Sequence, residues 1–219
     1  SPVANPGKIV AAPVNYKKHL IEAQTDPALH HQNQIAEIQR VGLFLKATSS
    51  LQGASAGIDI RHPDRRTDHE IELVVVIGSE CSKVKREDAI KHVAGYCIGL
   101  DITVRGPEER SLRKSIDSYS VMGPYMVTAD ELSDPNSLDF ELTVNGETRQ
   151  DGNTRDMIFD VASTIEILSR GMTLEPGDII STGTPAGVGF ARQPPEFLKA
   201  GDVVECTVAG IGSLRNRVV

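Results

Sequence analysis

Residues 68–78 read DHEIELVVVIG. The β-branched and aliphatic run from Glu70 to Ile77 stops at Gly78 and carries almost no polar interruption, the pattern of a strand buried on both faces at its far end. Glu70 and Glu72 are two positions apart at its entry. Side chains alternate along a strand, so both carboxylates face the same way, about 7 Å apart along the backbone. Brought to ~5 Å at an effective dielectric of ~20, two bare charges repel by about 3 kcal/mol before any desolvation cost, so a buried pair requires a cation or a proton. A solvated strand edge explains the two acids as well as a site does on this motif alone. The balance shifts at GYCIGLDITVR, residues 95–105, where Asp101 is a lone carboxylate in a second apolar run. Three carboxylates sharing one site suit a hard divalent cation, Mg²⁺ or Mn²⁺, with Ca²⁺ as a substitute and open positions for water and substrate. Three such charges and one divalent ion leave a net −1, which Lys114 in SLRKSID offsets.

Around this centre, 19 glycines and 12 prolines separate short apolar runs at irregular spacing, which argues against alternating strand-helix repeats. A short helix is expected over Val14 to Ala23. Residues 25–40, TDPALHHQNQIAEIQR, are polar and poor in bulky anchors, and read as a mobile loop or lid. A helix is expected from Arg86 to about Tyr96, then a strand from Ile98 to Val104. Leu138 to Gln150 places Asn145-Gly146 between alternating runs, a hairpin signal because both turn residues accept positive φ. Ile158, Val161, Ala162, Ile165 and Leu168 recur at helical spacing, with Gly171 just beyond, which predicts a helix over Asp156 to Arg170. The remainder is strand and turn. The fold class is therefore mainly β (α+β) with a few peripheral helices.

The chain has 219 residues, 39% hydrophobic and 24% charged, the size and composition of one globular domain with a real core, taken as 1–219 with residues 1–40 contributing the His19–Glu22 dyad and a lid. A net charge of −7 and nine aromatic residues disfavour a nucleic-acid partner. The longest run of large apolar residues, Leu73 to Ile77, is far below the roughly 20 needed to span a bilayer. Cys81, Cys97 and Cys206 are odd in number and widely spaced, so neither a disulfide framework nor a thiolate zinc site is indicated, and a reducing cytoplasmic setting is expected. No signal peptide is visible in the first residues.

His19 and Glu22, three apart in NYKKHLIEA, meet on a helix face, where the carboxylate would orient the imidazole as a general base toward water; a surface ion pair is the plainer reading. GTPAGVG, residues 183–189, lacks the ending of a phosphate loop and the setting of a dinucleotide fingerprint. Its backbone and the hydroxyls of Thr182 and Thr184 can cradle a small carboxylate or form a plain turn. No EF-hand series occurs.

Taken in order, NYKKHLIEA, LFLKATSSL, DHEIELVVVIG, GLDITVR, RKSID, MGPYMVT, NGETRQDGNT and LEPGDIISTGTPAGVG resemble the fumarylacetoacetate hydrolase superfamily over nearly the whole chain. The resemblance implies a mixed β-sandwich or β-roll, usually a homodimer, with an Mg²⁺ or Mn²⁺ site. It assigns metal ligation to Glu70, Glu72 and Asp101, and a catalytic dyad with a supporting lysine to His19, Glu22 and Lys114. Tyr125, Gln150, Thr184, Lys46 and Ser50 fall in segments that approach the substrate. His69 stands where an aromatic such as tyrosine is common, and TSSLQGASAG departs from the usual proline- and glycine-rich version, so pocket shape is expected to differ. The implied activity is metal-dependent cleavage of a carbon-carbon bond in a 1,3-dicarbonyl acid such as an acylpyruvate. Decarboxylation or isomerisation through a similar enolate, and a non-catalytic metal-stabilised binding module, are the alternatives.

Overall fold

The computed structural model describes residues 1–25, 38, 42–132 and 134–219. The stretch read above as a lid lies, except for Thr25 and Ile38, outside the described residues. In chain order the strands are β1 Ile9–Ala11, β2 Phe44–Lys46, β3 Leu51–Gly53, β4 Thr67–Asp68, β5 Ile71–Ile77, β6 Val93–Asp101 and β7 Thr103–Val104. They continue as β8 Ser120–Thr128, β9 Asp139–Val144, β10 Glu147–Asn153, β11 Ile179–Ser181, β12 Val203–Val208 and β13 Gly212–Arg217. The helices bounded by described residues are α1 Lys17–Thr25, α2 Arg86–Ala89, α3 Arg110–Lys114 and α4 Val161–Gly171.

The apolar run read first is the middle of a mixed seven-stranded sheet ordered β2-β1-β11-β5-β6-β8-β3. Every residue of β5 is buried, which explains why its sequence shows no polar alternation beyond Glu72. Ile71, Leu73, Val75 and Ile77 enter the main core, while Val74 and Val76 face the other way, into a smaller cluster with Ile9, Cys97, Met122 and Ile179. A second, antiparallel sheet ordered β10-β9-β12-β13 closes the main core with Leu142, Val204, Cys206 and Leu214. Its β9-β10 hairpin turns at Asn145 (φ 53°) and Gly146 (φ 81°), the backbone that the Asn-Gly pair predicts.

Three boundaries differ from expectation. Helix α1 starts at Lys17 rather than Val14. Helix α2 ends at Ala89, a 3₁₀ turn covers Ile90–His92, and β6 begins at Val93. Pairing with β5 from Val93 to Leu100 overrides the helical reading of that segment, and Gly95 belongs to the ladder, where a Cβ would lie 2.3 Å from the Val127 carbonyl. Helix α4 starts at Val161, because Asp160 caps it by accepting from the Ser163 amide (2.8 Å). The preceding turn is strapped instead to Asn15, whose Oδ1 accepts from the Phe159 amide (2.9 Å).

Candidate active site

Strand register builds the acidic centre. Strands β5 and β6 pair Ile71 with Leu100 and Glu72 with Gly99, and the Asp101 amide donates to the Glu70 carbonyl (2.9 Å), so Asp101 stands across from Glu70. Cross-strand neighbours share a face, and Glu72, two positions along, joins them. Gly99 opposite Glu72 makes room for Val74, whose Cγ2 would lie 2.3 Å from a Cβ there. One ligand oxygen from each of Glu70, Glu72 and Asp101 lies within 4.8 Å of the others, and all three residues are buried.

Two lysines converge on this trio. Lys114 Nζ, at the end of α3, donates to Glu70 (2.7 Å), Asp101 (2.6 Å) and the Thr103 hydroxyl (2.6 Å). Lys46 Nζ, on edge strand β2, donates to Asp101 (2.6 Å) and the Tyr119 carbonyl (2.9 Å). Burial lowers the Lys46 pKa against the pull of Asp101. Burial also raises Glu70, but Lys114 and Arg105 outweigh it and hold the carboxyl at about 2. Glu72 goes the other way: burial and the neighbouring Asp101 push it up to about 8. Burial and two neighbouring carboxylates disfavour the ionised form of Glu72, a cost that a bound cation would offset. Three buried oxygen donors fit a hard divalent ion.

The glycine loop after β11 organises the rest. Gly183 N donates to Glu72 (2.8 Å), Gly187 N to Glu22 (2.8 Å), and Gly189 and Phe190 N to Asp68 (2.5 and 3.2 Å). The loop thus cradles carboxylates of the protein itself. Gly187 has φ 99°, and a Cβ there would sit 2.1 Å from the Arg149 carbonyl, so only glycine fits. Through Glu22 the loop holds the dyad: His19 Nδ1 lies 3.2 Å from Glu22 Oε2. His19, Glu70, Glu72, Arg105, Lys114 and Thr184 line a common cavity.

The other expected residues divide. Thr184 is in the cavity wall, its hydroxyl accepting from Gln150 Nε2 (2.7 Å). Gln150 is 1% exposed and also bonds the Pro185 carbonyl and the Ile71 amide, so it straps the loop to the start of β5. Ser50 is buried against Ser120 Oγ (2.7 Å), on β8 beside the Asp101 end of β6. Tyr125 is 51% exposed, with its phenol oxygen against Gly212 of β13 and outside the cavity wall. Arg105 and Asp68, not singled out in the sequence, are part of the site: Arg105 bonds Glu70 (2.7 Å) and Asp68 (2.9 Å). Strand alternation of Asp68 with Glu70 and Glu72, and of Arg105 with Asp101, was the available signal.

Residues 8–219 match the model of the fumarylacetoacetate (FAA) hydrolase C-terminal family. The chain belongs to this family. It is 55% identical over 193 residues to a maleylpyruvate hydrolase of Aquipseudomonas alcaligenes, covering 86% of this chain and 67% of that protein. It is 38% identical over 225 residues to the mitochondrial oxaloacetate tautomerase of Xenopus laevis, covering 100% of this chain and 67% of that protein. Among solved family structures, the maleylpyruvate hydrolase of Sphingobium sp. SYK-6 in complex with manganese(II) and pyruvate superposes with a TM-score of 0.81 at 37% identity. That alignment covers 100% of this chain and 71% of the other. The family fold expected from the motifs is the fold observed. No helix among the described residues is long and apolar enough to cross a membrane.

Proposed function

We propose that this family member is a divalent-metal-dependent hydrolase that breaks a carbon-carbon bond in an acylpyruvate, with maleylpyruvate the first substrate to test. The observation that carries the reading is the meeting, in one cavity, of a buried three-carboxylate cluster with a histidine held by its own carboxylate. Glu70, Glu72 and Asp101 would hold the ion, Mg²⁺ or Mn²⁺, which supplies Lewis acidity toward keto and carboxylate oxygens. The 55% identity to a maleylpyruvate hydrolase and the manganese and pyruvate in a related structure support both parts.

Hydrolysis requires a water proton to be removed, and Glu22 on Nδ1 leaves His19 Nε2 for that transfer. Hydroxide then adds to the carbonyl distal to the pyruvoyl end, the carbon-carbon bond breaks, and the electron pair leaves on the pyruvate enolate. Lys114, between Glu70 and Asp101, and Arg105 on the cavity wall hold negative charge near that enolate. Proton return to the enolate carbon gives pyruvate and the shorter acid. The likeness to an oxaloacetate tautomerase favours keto-enol isomerisation as a second reading. Mass spectrometry separates the two. Incubation of metal-loaded protein with maleylpyruvate is expected to yield pyruvate and a second acid whose masses sum to substrate plus water. A product of unchanged mass contradicts hydrolysis.

A further inference from the structure

Asp68 lies in the same alternation as Glu70 and Glu72, and the β4-β7 ladder pairs it with Thr103 in the register that sets Asp101 across from Glu70. It is nevertheless outside the three-carboxylate cluster. Its carboxylate is 0% exposed and has five donors: Arg105 Nε (3.0 Å) and Nη2 (2.9 Å), and the amides of His69 (3.2 Å), Gly189 (2.5 Å) and Phe190 (3.2 Å). Arg105 is thereby gripped side-on by Asp68 while Nη2 also reaches Glu70 (2.7 Å). The guanidinium stacks 4.6 Å over the ring of Phe190, the residue whose backbone Asp68 also holds, and that ring is 6.3 Å from His19. One buried carboxylate therefore sets both the plane of the cavity's arginine and the aromatic surface beneath it.

We propose that Asp68 is a positioning residue: it locks Arg105 and Phe190 into one wall so that Arg105 meets the carboxylate of a bound keto acid. This rests on the reading of the cavity as a keto-acid site. Charge and position pull in opposite directions here, which makes the role testable. Removing the Asp68 charge leaves the cavity more positive and by Coulomb attraction alone strengthens binding of an anion. Freeing Arg105 to turn toward Glu70 weakens it.

The test is calorimetric titration of oxalate into Mn²⁺-loaded protein, with Mn²⁺ affinity measured separately. Asp68→Asn keeps the size and one acceptor oxygen. It is expected to weaken oxalate by about 10- to 100-fold, the usual cost of losing a partner that orients a ligating group, while Mn²⁺ affinity stays within about threefold. In an Arg105→Gln background the same substitution is expected to change oxalate affinity by less than about threefold, because the group it acts through is gone. Tighter or unchanged oxalate binding in Asp68→Asn, or full penalties that multiply in the double variant, would overturn the proposal. Should Asp68→Asn not fold, Phe190→Leu removes the stacking surface with Asp68 intact, and unchanged oxalate affinity there overturns it equally. Failure of wild-type protein to bind oxalate with Mn²⁺ present overturns the keto-acid reading beneath it.

Discussion

Glu72 sets the chemistry of the site at the scale of single residues. Glu70 and Asp101 each hold a lysine, whereas among the described residues Glu72 makes no ion pair and is held by the Gly183 amide. It has the most to gain from a divalent ion, so Glu72→Ala is expected to weaken Mn²⁺ beyond the ~10- to 100-fold typical of losing an outer partner. Calorimetry showing unchanged affinity refutes the assignment. His19→Ala removes a base and not a ligand, and turnover is expected to fall by ~10²- to 10⁴-fold with metal affinity nearly intact. The thiols are inert by the same logic of burial. Burial pushes Cys97 up to about 12, raises Cys206 further and raises Cys81, so a thiol reagent at pH 8 is expected to label native protein far more slowly than urea-unfolded protein. Rapid labelling of the folded chain contradicts the packing described.

The glycine loop after β11 matters most among the elements, because its amides hold Glu72, Glu22 and Asp68 at once. Gly187→Ala must place a Cβ against the Arg149 carbonyl at positive φ, and a loss of more than about 1 kcal/mol is expected in urea denaturation. Turnover is expected to fall more than stability explains, since Glu22 loses its anchor. A fully active Gly187→Ala protein contradicts the loop's part in holding the dyad. This organising role was hidden in the sequence. GTPAGVG shows that the backbone can approach something closely, but which group it approaches depends on β11 lying beside β5. The trio was more legible, because period two puts Glu70 and Glu72 on one face wherever the strand lies. The third acid needed only an antiparallel neighbour in register. Tyr125 illustrates the limit: its motif gives a place in the chain order, and the course of β8 toward β13 carries it away from the cavity.

For the whole molecule, the acids and the residues that hold them come from β2, β5, β6, α3 and the loop after β11, so an ion at their centre ties distant parts of the chain together. Binding to the folded state alone contributes about 2.7 kcal/mol at one hundred times the dissociation constant. In a chain of this size that is a rise of roughly 5–10 °C in Tm, expected with Mn²⁺ in the wild type and absent in Glu72→Ala. An equal rise in both places the ion elsewhere. The fold class and the hairpin were legible because local turn chemistry and burial agree there. The end of α2 and the start of α4 were not, since strand pairing at β6 and the Asn15 strap decide them from across the molecule. Metal-dependent hydrolysis is tested by one assay: pyruvate released from maleylpyruvate by protein stripped with a chelator, before and after Mn²⁺ is restored. The expected result is no release from stripped protein and steady release once Mn²⁺ is added. Release at the same rate without metal, or none at saturating Mn²⁺, contradicts it.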